Sequence, residues 1–134
     1  MNLFYDDDAG KLIVRLMVSV LILFHGVGKI LHPAGTLGFV QSLLAQHGLP
    51  EFIAYGVFLG EVVGPLMILL GLFSRVGGVM VVINMLFAIG LVHMGDIFAL
   101  TDMGTWALES DVFFLLSGLA VVFLGSGRFA IRED

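Results

Sequence analysis

The feature that most constrains this chain is a stretch of 34 residues, 62–95, in which Arg75 is the only permanently charged side chain. As one helix the stretch would be roughly 51 Å long, whereas the hydrocarbon core of a bilayer is about 30 Å thick. The stretch must therefore fold back on itself. Gly71, Ser74 and the pair Gly77-Gly78 are suited to a tight turn between helices. The sequence thus predicts a membrane span on each side of this turn.

The composition supports a membrane protein. Of 134 residues, 59% are hydrophobic and 13% are charged, and the mean hydropathy is +1.08. Soluble domains carry about 25% charged residues, and a chain this short cannot hide so large an apolar excess inside a globule. These values exclude a water-soluble monomer, a disordered chain and a nucleic-acid-binding protein with a basic surface.

Four spans of about 20 mostly apolar residues account for the hydrophobic pattern. They are predicted at residues 12–31, 52–72, 76–94 and 108–124. The predicted fold class is therefore all-α, an integral membrane four-helix bundle that forms a single domain over residues 1–134.

The connection between the first two spans has a different pattern. Over residues 34–47, Leu37, Val40 and Leu44 fall on one helical face, and Gly48-Leu49-Pro50 is a typical helix stop. This pattern predicts a short amphipathic helix at the membrane surface. An interfacial loop with a single helical turn is the alternative.

The distribution of basic residues predicts the orientation of the bundle. Five of the six Lys and Arg residues fall on the side of the two termini, and Lys29 alone falls on the other side. By the positive-inside rule both termini face the cytoplasm. The acidic residues near the termini, Asp6 to Asp8 and Glu133-Asp134, are expected to be solvated tails. The chain has no cysteine and hence no thiol chemistry of its own.

Three ionisable residues inside the predicted spans are the candidate catalytic residues. Glu61 lies roughly 13 Å along the second span, where an isolated carboxylate needs either a proton or a cationic partner. His25 and Lys29 are four residues apart on one face of the first span, and His25 is roughly 9 Å deep. Such residues usually face the interior of a bundle.

All four spans bring polar groups to the outer half of the bundle, which predicts a polar pocket there. Its predicted members are His25, Lys29, Glu61, His93, Trp106 and Glu109. One interpretation is a structural network in which Glu61 pairs with His25 or Lys29. The other is a binding site for a polar head group, such as a quinone ring, in which Glu61 and His25 handle protons. No metal is predicted, because no helix carries a metal-ligand pair of His and Glu at the usual spacing.

Small residues in the second predicted span and one amide in the third indicate how these two helices pack. Gly56, Gly60 and Gly64 recur every four residues, which favours close helix packing, and Pro65 predicts a kink. Asn84, in the middle of the third span, is expected to form a hydrogen bond to another helix.

Several short motifs follow one another along the chain. They are Arg15, His25-Gly26-x-Gly28-Lys29, Gly48-Leu49-Pro50, Gly60-Glu61-x-x-Gly64, Gly71-Leu72-Phe73-Ser74-Arg75 and Gly125-x-Gly127-Arg128. In these motifs, from about Lys11 to Arg128, the chain resembles the DoxX family of small four-span membrane proteins. It departs from the family pattern at Ala130-Ile131-Arg132, where the family often has Ser-hydrophobic-Asp.

The resemblance implies a location and a setting. Similar proteins include membrane subunits of thiosulfate:quinone oxidoreductases and a membrane partner in a complex against oxidative and thiol stress. The resemblance therefore implies a multi-pass protein of the bacterial cytoplasmic membrane beside redox partners, but no fixed reaction. Our hypothesis is a subunit or partner of a quinone-linked redox system, with quinone as the candidate cofactor, that is not expected to be an enzyme on its own. The alternative is a non-enzymatic scaffold or assembly factor whose polar cluster is structural. The expected partners are lipid, redox proteins and a second copy of the chain, but no nucleic acid.

Overall fold

The computed structural model describes residues 5–92 and 94–134, without the side chains of Pro33 and Thr36. Throughout that part of the chain the regular structure is helical, and the only β contacts are two isolated bridges. Five helical segments follow one another: α1 (Asp7–Leu31), α2 (Pro33–Gln46), α3 (Glu51–Leu70), α4 (Ser74–Val92) and α5 (Glu109–Leu124). The all-α membrane bundle predicted from the sequence is confirmed.

Three of these helices, α1, α3 and α4, are long and apolar enough to cross a membrane. Helix α5 has 16 residues and is roughly 24 Å long, somewhat less than the hydrocarbon core. It packs as the fourth long helix of the bundle, and its role as a fourth span stays a prediction. Helix α2 occupies the predicted connection, and its position at the membrane surface also stays a prediction.

Helix α1 begins earlier than the apolar pattern indicates because an acidic residue caps it. The Asp6 side chain accepts a hydrogen bond from the backbone N–H of Ala9 at 3.0 Å, and Asp7 and Asp8 occupy the first turn. Carboxylates there satisfy otherwise unpaired N–H groups and interact favourably with the helix dipole. The helix therefore starts at Asp7 rather than at residue 12.

The interior of the bundle is apolar and tightly packed. Helices α4 and α5 approach through two glycines, and a Cβ atom at Gly78 would lie 2.8 Å from the carbonyl oxygen of Gly118. Only residues without side chains permit this distance. The buried side chains around this contact come from all four long helices: Val18, Ile22, Ile68, Val81, Met85 and Val121.

A buried arginine links three segments at the end of the bundle where α1 begins and α5 ends. Arg15 is 1% exposed, and its guanidinium donates to four backbone carbonyl oxygens. Two are at the end of α3, Ile68 at 2.9 Å and Leu69 at 3.1 Å; the others are Ser126 at 3.0 Å and Phe129 at 2.6 Å. Arg15 thus joins α1, α3 and the C-terminal segment that follows α5.

Three of the five acidic residues near the termini, Asp6, Asp8 and Asp134, make structural contacts, so the prediction that they are only solvated is wrong for these three. The Asp134 carboxylate accepts hydrogen bonds at 3.0 Å from the backbone N–H groups of Ser126 and Arg75. Asp8 accepts one from the backbone N–H of Arg128, also at 3.0 Å. These contacts hold the C-terminal segment against α1 and against the turn between α3 and α4.

Candidate functional site

A cavity of about 1220 Å³ lies at the other end of the bundle, between all five helices. Ligand pockets usually have volumes of about 300–1,000 Å³, so the cavity has room for a ring and part of an apolar chain. Most of its lining is apolar, including Phe39 and Leu43 from α2 and Ile83 and Phe87 from α4. The polar side chains that line it are His25, Lys29, Tyr55, Glu61, Asn84, Ser110 and Asp111.

An ion pair between α1 and α3 is the centre of the site. Lys29 Nζ donates a hydrogen bond to Glu61 Oε1 at 2.7 Å and lies 2.5 Å from Oε2. Oε2 is buried, and its contact with Nζ is an ion pair rather than a hydrogen bond. Glu61 is 8% exposed, whereas the Lys29 side chain is 35% exposed. The carboxylate therefore lies inside, with both of its oxygens in contact with the Lys29 ammonium.

The backbone of α3 changes its geometry where it carries Glu61. Residues Leu59–Val63 form a π turn, and Pro65 follows in the next turn. Proline lacks the N–H that an α-helix would direct to the Glu61 carbonyl, and wide turns of this kind are common beside functional residues. A Cβ atom at Gly26 would overlap that carbonyl oxygen, so α1 approaches α3 closely only because residue 26 is glycine.

His25 lies one turn before Lys29 on α1 and also lines the cavity. Its ring is exposed and packs edge-on against Phe114, with the ring centroids 6.1 Å apart. Of the two predicted partners of Glu61, Lys29 makes the ion pair. His25 lies at the edge of the same site.

Two of the remaining predicted members of the pocket, Trp106 and Glu109, do not join this cluster. Trp106 and Glu109 are exposed and are not part of the cavity lining. The Trp106 indole N–H instead donates to the carbonyl oxygen of Ile97 at 2.7 Å within the loop between α4 and α5. His93 lies outside the described residues.

Asn84 is a cavity residue whose place the sequence did not predict. A hydrogen bond to another helix was expected, but its described bond runs from Nδ2 to the sulfur of Met85 in the same helix, at 4.0 Å. Its side chain packs against Gly60, and it borders the cavity. The available signal was that Asn84 is the one amide in the middle of an otherwise apolar helix.

Fold and site together define a helical membrane protein with a charged pair inside an apolar cavity. The DoxX family profile matches residues 10–94, which include Lys29, Glu61 and Asn84. The chain therefore belongs to the DoxX family, as the order of its motifs predicted. A Bacillus subtilis (strain 168) protein named "Putative oxidoreductase CatD" is 29% identical over 124 residues, covering 92% of this chain and 85% of that protein. No solved structure matches the chain significantly.

Proposed function

We propose that this chain is the membrane subunit or partner of a redox system and that its cavity binds the head group of a quinone. The observation that carries the proposal is the Lys29–Glu61 ion pair inside a largely apolar cavity of about 1220 Å³. A quinone combines a ring that bears hydrogen-bonding oxygens with an apolar chain. The name of the Bacillus subtilis relative supports a redox setting.

The residues of the site have complementary tasks in this proposal. The Lys29 ammonium donates a hydrogen bond to a ring oxygen and stabilises negative charge that develops on it during reduction. Glu61 exchanges protons with that oxygen, and His25 connects the site to water. Reduction of a quinone to a quinol takes two electrons and two protons. The electrons come from a redox protein partner, because the chain has no thiol of its own to supply them.

The proposed location is the bacterial cytoplasmic membrane, with both termini in the cytoplasm. The bias of basic residues toward the side of the termini supports this orientation. Lys29 then lies near the outer surface, and the cavity opens in the outer half of the membrane. A lipid-soluble ligand would reach it between α2 and the bundle, past the exposed rings of Phe39 and Phe52.

Copurification of quinone tests the proposal. The protein is extracted in native membrane patches and its lipid content is measured by mass spectrometry. We expect quinone with the wild-type chain and its loss from Glu61→Gln and Lys29→Met. Glu51→Gln is the matched control, because Glu51 is exposed and lies outside the cavity lining. A wild-type chain that carries no quinone and does not bind added ubiquinone-1 would refute the proposal.

A scaffold without redox chemistry is the second candidate function. The observation that favours it is that the same ion pair ties α1 to α3, which is a structural task. The double variant Lys29→Met/Glu61→Leu separates the two functions, because it removes both charges together. A scaffold keeps its partner proteins in this variant and has no quinone to lose, whereas a quinone site keeps the fold and loses the quinone.

A further inference from the structure

Asn84 has hydrogen-bonding capacity that the protein does not use. Among the described contacts its amide makes one bond, to the Met85 sulfur at 4.0 Å, and a thioether is a weak acceptor. An amide has two N–H donors and a carbonyl acceptor, and leaving them unpaired in an apolar surrounding is costly. Because Asn84 lines the cavity, a molecule inside it can supply the missing partners.

The packing of α3 against α4 brings this amide to the site. A Cβ atom at Gly60 would overlap the Asn84 side chain and would lie 2.9 Å from its Oδ1. Gly60 is the residue before Glu61, and because it has no side chain it leaves room for the Asn84 amide. Lys29 on α1, Glu61 on α3 and Asn84 on α4 thus border the cavity together, beside its other polar residues His25, Tyr55, Ser110 and Asp111.

From this arrangement we infer that Asn84 is a second recognition point, which makes the site selective for a ring with two opposed oxygens, a 1,4-dione and its reduced diol. One ring oxygen lies at the Lys29–Glu61 pair and the other at the Asn84 amide. This inference rests on the proposed function and adds to it the residue that recognises the second ring oxygen.

Each of the two points offers both a donor and an acceptor. At the ion pair, the Lys29 ammonium carries the donors and the Glu61 carboxylate, which lines the cavity, is the acceptor. At Asn84, the amide N–H groups donate and Oδ1 accepts. A dione oxygen only accepts, whereas a diol hydroxyl also donates. The dione and the diol therefore both find a hydrogen-bonding partner at each of their two oxygens. A site with the ion pair alone would provide a partner for only one oxygen.

The test compares two bicyclic ligands that differ in the second ring oxygen and in the saturation of the ring that bears it, and comparing the wild type with an Asn84 variant isolates the effect of the oxygen. Menadione has two carbonyls, and 2-methyl-1-tetralone has one. Binding of each to the full chain in lipid nanodiscs is measured by equilibrium dialysis. In the wild-type chain menadione should bind at least about tenfold tighter, and Asn84→Leu should reduce this preference to about twofold without changing the affinity for the tetralone.

Two further variants keep the test decisive. Asn84→Ala carries the same expectation, so a folding defect in one substitution does not remove the result. Met85→Leu removes the sulfur contact but keeps the amide; because Met85 also lines the cavity, the expected result is an unchanged preference for menadione over the tetralone. If Asn84 served only to contact Met85, the two substitutions would act alike.

The outcomes separate this inference from the function on which it rests. If menadione binds the wild type and Asn84→Leu equally tightly, the second recognition point is refuted while quinone binding stands. An equal loss of both ligands in Asn84→Leu would assign Asn84 to the shape of the cavity and would also refute it. If menadione does not bind the wild type, the quinone site itself is refuted.

Discussion

Removing Lys29 should destabilise the fold more than removing Glu61, although the two side chains share one ion pair. In Lys29→Met, a carboxylate that is 8% exposed is left without its cation. In Glu61→Leu, the remaining ammonium belongs to a side chain that is 35% exposed and lies in the last turn of α1. A lysine there can extend toward water and interacts favourably with the helix dipole.

The expected magnitudes follow from this asymmetry. Removing one partner of a buried ion pair costs about 3–5 kcal/mol, and we expect a cost in this range for Lys29→Met. Solvation of the exposed lysine should limit the cost of Glu61→Leu to about 1–2 kcal/mol. Replacing both charges by apolar groups is often neutral, so the double variant should lie within about 1 kcal/mol of the wild type.

The assay is the free energy of unfolding in detergent micelles, followed by circular dichroism for the wild type, both single variants and the double variant. Glu51→Gln, which changes an exposed carboxylate on the same helix, should leave the free energy unchanged. The reasoning would be contradicted by a Glu61→Leu variant as unstable as Lys29→Met. It would be equally contradicted if the double variant were no more stable than Lys29→Met alone.

Three other substitutions test other parts of the structure. Gly26→Ala should lower the free energy of unfolding by about 1–3 kcal/mol, because the added Cβ overlaps the Glu61 carbonyl. Gly28→Ala is the control: its Cβ faces open space, so the substitution should be neutral or slightly stabilising. Thermal unfolding measures both effects. Arg15→Lys should lower the free energy of unfolding by about 3 kcal/mol, because an ammonium cannot replace a guanidinium that donates to four carbonyls. The rate of backbone hydrogen exchange should rise in residues 125–134 and not in α4. Phe39→Ala should weaken binding of long-chain quinones more than that of ubiquinone-1 in a titration, because Phe39 lies at the exposed side of the cavity; equal weakening would contradict this placement.

The helices were predictable because a bilayer fixes the length of the elements that cross it. The apolar stretch around Arg75 had to turn, and the structure turns at Gly71, whose φ of 69° lies in the left-handed region that favours glycine. The position of α5 in the chain was equally clear, since Glu109 begins it and Gly125 ends it. What the pattern did not show was the start of α1, because the cap at Asp6 lies outside the apolar stretch.

The ion pair was accessible from the sequence for a related reason. Charges inside a membrane are scarce, so Glu61 had few candidate partners, and Lys29 was one of two. Depth along a helix does not specify the direction that a side chain faces, and Trp106 and Glu109 therefore share the predicted depth without lining the cavity. The four bonds of Arg15 could not be predicted, because their acceptors are backbone carbonyls and every residue has one.

The two ends of the bundle are held together by different forces, and the difference suits a ligand site at one of them. At the terminal end, Arg15 and Asp134 bind backbone groups of distant segments, and such bonds fix the positions of the helices whatever side chains surround them. At the cavity end, the Lys29–Glu61 ion pair bridges α1 and α3, and much of the remaining contact is side-chain packing. Apolar side chains can adjust to an incoming ring at little cost, whereas a network of backbone hydrogen bonds cannot. The fixed end therefore keeps α1, α3 and α4 in register, while the cavity between their other ends would be free to admit and release the ligand that we propose.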